Sequence, residues 1–383
     1  MEPMPRGHEW VLVRPDAVSV WRDPEVRRRL NWYWRVMTGD APAKFVMARR
    51  FPAGLDPGED PWSLETSTLW RLHEKASREF RAMWRRVREG SDEYRDLDAS
   101  PGESLLAVKA VLAHRLASPC RLCERRCMVD RTRRIGACRL DIGVYVHSAF
   151  LHLGEEAPLV PSGTIFYGGC NFNCVYCQNY DVSQTMPRSG VRVDAYRLAS
   201  IQDALAGKGA RNINHVGGDP TPSLHVIMES LLYVESSIPQ LWNSNFYMSR
   251  EAMELLVDVI DIWLPDYKYG NDKCAFRLSG VPRYTSVVQR NLRIAVEHGD
   301  MIIRHLVLPN HLECCTKPVL EWIARNLPKD KIFINVMGQY TPMHRVARKP
   351  HLWPDIARRP KRWEIEEARR IATSLGLAWE QVS

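Results

Sequence analysis

The sequence of 383 residues has no apolar run near the roughly 18 uncharged residues of a membrane span. Its first residues, Met1 to Arg6, lack the pattern of a secretory signal. It has no internal repeat and no low-complexity tract, which argues against solenoid and fibrous architectures. A cytoplasmic protein without membrane contact is expected. Disorder is equally disfavoured, because 45% apolar and 26% charged residues are ordinary for a packed globular chain. The length suffices for one large domain plus an appendage. Ten cysteines grouped at short spacings fit metal ligation better than disulfides.

The net charge of +8 is not spread evenly. Residues 1–100 carry 18 Lys and Arg against 17 Asp and Glu, so the excess lies elsewhere, in Arg121 to Arg139 and Arg345 to Arg370. Such runs can face nucleic acid, an acidic protein, a phosphorylated substrate or simply solvent. Neither interleaves aromatics as an RNA-binding motif would.

Residues 1–100 read as a mostly helical extension rich in tryptophan (Trp10, Trp21, Trp32, Trp34, Trp62, Trp70, Trp84), which suits packing better than a stacking platform. Leu69, Leu72, Ala76, Phe80, Met83 and Val87 recur at helical steps, with Ser63 as the expected cap and Gly90 beyond the end. Residues 101–142 hold a second helix, near Glu103 to Leu116, and then Cys120, Cys123, Cys127 and Cys138. Four soft ligands within nineteen residues can close a tetrahedral zinc site or hold an auxiliary iron–sulfur cluster, or remain free thiols.

Residues 143–383 alternate strand-like runs with amphipathic helices. Thr164–Tyr167, Asn212–Val216, Gln240–Asn243, Ile260–Leu264, Met301–Leu308 and Ile332–Val336 are the expected strands, and Thr316 is the expected cap of a helix from Lys317. This alternation predicts an α/β fold with a parallel sheet, closing as a partial (β/α)6 TIM-like barrel whose functional residues sit at the C-terminal strand ends.

Around Gly168-Gly169-Cys170-Asn-Phe-Asn-Cys174-Val-Tyr176-Cys177 the reading becomes chemical. Three cysteines spaced C-x3-C-x2-C can converge from one loop past a strand end. A four-iron cluster held by three thiolates keeps one iron open to a small molecule; a zinc loop or buried apolar cysteines are the plainer alternatives. Downstream strands end in Gly217-Gly218-Asp219-Pro220 and in Pro265-Asp266-Tyr267-Lys268, where alternation puts Asp266 and Lys268 on one side. Arg304 is a charge inside an apolar strand and needs a ligand or an internal acid. Cys314 and Cys315 follow Pro309-Asn310-His311 in a strand-to-helix loop, read as packing or as thiol chemistry on the substrate side, whereas Cys274 reads as an isolated structural residue.

The stretches CRLCERRC, GGCNFNCVYCQN, GGDPTP, WNSNFYMS, LPDYKYGNDKCAFRLS, IIRHLVLPNHLECC and NVMGQY resemble the radical S-adenosylmethionine (SAM) superfamily. The nearest branch is that of pyruvate formate-lyase activating enzyme-like proteins with an upstream four-cysteine segment. The resemblance covers residues about 115–380 and leaves residues 1–100 outside. It implies that Cys170, Cys174 and Cys177 hold a 4Fe–4S cluster and that Tyr176 lies beside the SAM adenine. It further implies that Gly217, Gly218 and Asp219 serve the SAM amino group, with Asp where the family carries Glu. Asp266 and Lys268 correspond to an Asp-x-Lys pair near SAM, Arg304 to an arginine on its carboxylate side, and Asn335 to a SAM-contacting histidine. Trp242-Asn243-Ser244-Asn245 matches the family's cation segment loosely. The implied activity is reductive cleavage of SAM to methionine and a 5′-deoxyadenosyl radical, fed by a flavodoxin- or ferredoxin-like donor. The substrate can be a glycyl position of a protein, a small metabolite or RNA; a non-catalytic metal-binding protein is the reading from another class.

Overall fold

A computed structural model describes residues 10–383, so the signal-peptide expectation for Met1 to Arg6 lies outside the described residues. Eight strands form one sheet in the order β3-β1-β2-β4-β5-β6-β7-β8. They are β1 (Val144–His152), β2 (Ser162–Tyr167), β3 (Val191–Val193), β4 (Ile213–Gly217), β5 (Gln240–Ser244), β6 (Ile262–Pro265), β7 (Asp300–Leu306) and β8 (Ile332–Met337). The six expected strands are present and run parallel from β2 through β8. Sequence reading missed β1 and β3, which add an antiparallel edge beside β2. Their alternation of half-buried and exposed residues lacks the continuous apolar texture of the central strands. The sheet is therefore an open partial barrel with an antiparallel flank.

From residue 66 on, the helices of seven residues or more are α1 (Thr66–Arg88), α2 (Leu105–Ala117), α3 (Ala195–Gly207), α4 (Leu224–Ser230), α5 (Arg250–Leu256), α6 (Asp272–Ser279), α7 (Tyr284–Val296), α8 (Lys317–Asn326) and α9 (Arg362–Ser374). Two expected caps are corrected. Ser63 lies in a preceding 3₁₀ turn, and α1 starts after Glu65 with no side-chain cap. Thr316 is itself helical because a π-turn over Leu312–Thr316 leads into α8, and its hydroxyl meets His305 Nε2 at 2.9 Å instead.

Strand alternation sorts the barrel interior into layers. Leu241, Ile262, Leu264, Ile302 and Phe333 form an apolar floor with Trp21, Val26, Leu30 and Tyr33 of the N-terminal region. One step further along β5, β6, β7 and β8 come Asn243, Asp266, Arg304 and Asn335, which line a cavity. Thus N-terminal side chains plug the floor below the polar layer. Trp32 and Trp84 are buried edge to face at 5.6 Å, and Lys44 Nζ lies 3.9 Å over Trp84. They act as packing residues.

Candidate active site

The cavity, about 960 Å³, opens at the C-terminal ends of the parallel strands. Its lining includes Cys170, Cys174, Cys177, Tyr176, Gly217, Gly218, Asp219, Asp266, Lys268, Arg304 and Asn335, so one cavity gathers all these sequence-derived candidates. The loop after β2 approaches the loop after β4 very closely. A Cβ on Gly217, at φ +117°, would sit 2.2 Å from Tyr167 N, and one on Gly218 would sit 2.0 Å from Gly169 O. Only glycines let the two loops meet there.

Each loop sulfur has a polar neighbour. Phe172 N–H donates to Cys170 Sγ at 3.3 Å, Cys174 Sγ lies 3.0 Å from Ser279 Oγ, and Cys177 Sγ lies 3.3 Å from Ser183 Oγ. Burial pushes the Cys174 thiol up to about 11 and raises Cys170 well above the ordinary thiol range. Three thiolates in such a pocket need a cationic centre, and the surrounding hydroxyls and N–H groups are the donors that would tune one. Asn171 Nδ2 and Asn243 Nδ2 are buried without a hydrogen-bond partner, a further sign of a site built around a bound group. The residues present thus fit a cysteine-held cluster with a small molecule beside it.

Asp219 is buried, accepting from Thr221 N at 2.9 Å and Asn245 N at 3.0 Å. Burial outweighs these bonds and raises its carboxyl to about 6, so the group favours a cation at its open side. Asn245 also donates through Nδ2 to Asn171 Oδ1 at 2.6 Å and reaches Cys170 Sγ at 3.7 Å, linking Asp219 to the cysteine loop. Sequence reading placed Asn245 only in a loosely matched cation segment and missed this link, because nothing local marks an asparagine as a bridge between two loops.

It also missed the acids that Arg304 requires. Arg304 donates to both Glu156 carboxylate oxygens at 2.7 Å, pairs with Glu155, and reaches Asn243 Oδ1 at 3.4 Å. Burial alone would raise the Glu155 carboxyl, yet Arg304 and His152 hold it down at about 2. Asn335 Nδ2 donates to Glu156 at 2.8 Å, so its amide supports this clamp. Lys268 Nζ and Asp266 form an ion pair at 2.8 Å, each side chain about one-fifth exposed. Apart from the Arg14–Asp16 pair and exposed Glu380, the wall carries Glu155, Glu156, Asp219 and Asp266 against Arg304 and Lys268. That excess of two carboxylates, when all are ionised, suits a cationic ligand.

Tyr176 is buried, its ring 5.5 Å from Tyr340 and its hydroxyl bonded to Tyr269, which continues to Ser279 and so to Cys174. The upstream segment packs directly on the same loop. Arg125 donates to Asn171 O and to Gly280 O, and Arg139 donates to Asn173 Oδ1 at 2.8 Å. Gly136 sits so close to Cys127 and Cys138 that an added Cβ would lie 3.7 and 3.5 Å from their sulfurs. Burial pushes the Cys123 thiol up, with smaller contributions from Cys120, Cys138 and Cys127.

One grouping reverses the sequence reading. Cys274 is not isolated: its sulfur and those of Cys314 and Cys315 all lie within 4.8 Å of one another. Among the described residues this is the one such trio of His, Cys, Asp or Glu. Neither the loop cysteines nor the upstream four are therefore gathered to the ~3.8 Å edges of a zinc tetrahedron with Zn–S bonds of ~2.3 Å.

Residues 164–323 match the family model of the Radical SAM superfamily. The chain is 39% identical over 355 residues to the uncharacterized protein MJ0674 of Methanocaldococcus jannaschii, covering 91% of this chain and 98% of that one. It is 23% identical over 290 residues to the uncharacterized protein MJ0808 of the same organism, covering 68% of this chain and 79% of that one. Among solved structures, SuiB of Streptococcus suis bound to S-adenosylmethionine overlays with a TM-score of 0.39 at 13% identity, over 54% of this chain and 44% of that one. That overlay is too partial to bear on the site.

Proposed function

Because the chain belongs to the Radical SAM superfamily, we propose that it reductively cleaves SAM at a 4Fe–4S cluster on Cys170, Cys174 and Cys177, in the manner of the activating enzymes. The observation that carries this reading is the convergence of those cysteines, Gly217-Gly218-Asp219 and the Asp266–Lys268 pair on one cavity with excess negative charge. When bound, the cluster and SAM supply one-electron cleavage of a carbon–sulfur bond and a radical that abstracts hydrogen from a substrate.

The chain's own residues prepare that site. Asp219, fixed by the Thr221 and Asn245 amides, presents its carboxylate to the ligand ammonium. Gly217 and Gly218 let the loop that carries Asp219 pack directly against the backbone of the cysteine loop. The Glu155–Glu156–Arg304 clamp and the Lys268–Asp266 pair hold the far wall in a fixed charge pattern. Buried Phe172 and Tyr176 exclude water from the cysteine side. An external flavodoxin- or ferredoxin-like protein provides the electron, and a glycyl position of a partner protein is the substrate favoured by the activating-enzyme resemblance.

Anaerobic reconstitution should load about four irons on the three loop cysteines, and dithionite-reduced protein should release 5′-deoxyadenosine from SAM. The variant with Cys170, Cys174 and Cys177 all changed to Ala should release none; continued release from it would overturn the assignment. Turnover of SAM in cell extract, with mass spectrometry of the species that passes deuterium to deoxyadenosine, would identify the substrate.

A further inference from the structure

Away from the cavity lining, three sulfurs converge on a patch that the proposed reaction does not use. Cys274 belongs to the first turn of α6, where its N–H donates to the capping side chain of Asn271 at 2.8 Å. Cys314 and Cys315 belong to the π-turn that leads into α8, tied to the same cap because Asn271 Nδ2 donates to Cys314 O at 2.7 Å. Gly270 makes this approach feasible, since a Cβ there would lie 2.8 Å from Cys314 O and 2.9 Å from Cys315 O. Two elements from distant parts of the chain are thus held so that three thiols face one point.

We propose that Cys274, Cys314 and Cys315 form a thiolate site for a single zinc ion, separate from both the cavity cysteines and the upstream four. Three observations favour a metal over the alternatives. The Cys314 and Cys315 sulfurs are 3.9 Å apart, against the ~3.8 Å edge of a tetrahedron with Zn–S bonds of ~2.3 Å. A disulfide would use two of the three sulfurs, whereas all three lie within 4.8 Å of one another. Plain apolar packing fails for Cys314, which is exposed. His311 does not complete the set, because Nδ1 meets Pro309 O at 2.9 Å and Nε2 meets Arg277 at 3.3 Å and Asp355 at 3.4 Å. The fourth position therefore faces solvent on the Cys314 side and takes water or an exchangeable donor. Binding exchanges thiol protons for metal–sulfur bonds and involves no change of oxidation state.

The position gives the ion a structural consequence. Ser279, at the end of α6, lies 3.0 Å from Cys174 Sγ, so zinc at the start of α6 would pin the helix that supports a cavity cysteine.

The test is zinc added alone to the full-length, iron-loaded protein. Wild type should bind about one equivalent more than the C274S/C314S/C315S variant, with iron content the same in both. Cobalt in place of zinc should give the visible absorption of a tetrahedral thiolate site, absent from the variant. In wild type, zinc should also protect Cys274, Cys314 and Cys315 from alkylation read by mass spectrometry, a measurement that needs no variant. Equal zinc uptake by both proteins together with unprotected cysteines would overturn the site. So would a disulfide among the three in reduced, zinc-treated protein. None of these outcomes depends on SAM cleavage, so failure here and failure of the proposed activity are distinguishable.

Discussion

Replacing Asp219 by Asn separates a binding role from a structural one, because the two predict opposite signs. In the folded chain burial raises this carboxyl from 3.8 to about 6. A group with a raised folded pKa contributes its stability below the unfolded value and loses it as pH rises through the folded value. At pH 7.5 the ionised Asp219 therefore costs the ligand-free protein about 3 kcal/mol, from ~2.2 units at ~1.36 kcal/mol each. By pH 5 about half of that cost has gone. Asn carries no such term, although it keeps one of the two backbone bonds and forfeits the other, worth about 1 kcal/mol at any pH. Relative to wild type, Asp219→Asn should thus gain about 1.5 kcal/mol between pH 5 and 7.5. For a chain this long that gain is about 2 °C in thermal midpoint. SAM affinity should move the other way, falling by one to two powers of ten, about 1.4–2.8 kcal/mol, with normal iron content. Differential scanning fluorimetry at the two pH values and equilibrium dialysis of SAM on cluster-loaded protein measure both. Unchanged SAM binding in the folded, loaded variant would refute the role of Asp219, whatever its stability.

Two further outcomes follow from the same geometry. Arg304→Met removes the cation shared by Glu155 and Glu156, leaving Glu155 with His152 as its remaining ion-pair partner, and should cost about 3–5 kcal/mol of stability at neutral pH; an unchanged thermal midpoint would show that the clamp is not structural. The protein with Cys170, Cys174 and Cys177 all changed to Ala should still carry iron with an iron–sulfur spectrum on Cys120, Cys123, Cys127 and Cys138, whose spread exceeds a zinc tetrahedron; one zinc instead, or a metal-free and normally folded protein, would refute this.

What the sequence determined by itself is what neighbours along the chain encode. The six parallel strands follow from apolar runs bounded by turn residues, and the cysteine loop and Gly217-Gly218-Asp219 follow from spacing within a few residues of a strand end. The alternation rule placed Asp266 and Lys268 on one side, and they meet at 2.8 Å. Sheet order decided the rest. Glu156 reaches Arg304 across 148 residues because the connection from β1 to β2 packs against β7, and Asn245 reaches Asn171 across 74 because β2 and β5 deliver their C-terminal ends to one barrel mouth. The same closure turns an isolated Cys274 into a partner of Cys314 and Cys315, and brings Trp21 and Tyr33 under the barrel as its floor. A glutamate, an asparagine or a lone cysteine carries no local mark of its distant partner. Those contacts come from burying the strands against one another and against the N-terminal helices, so only the folded chain could pair them.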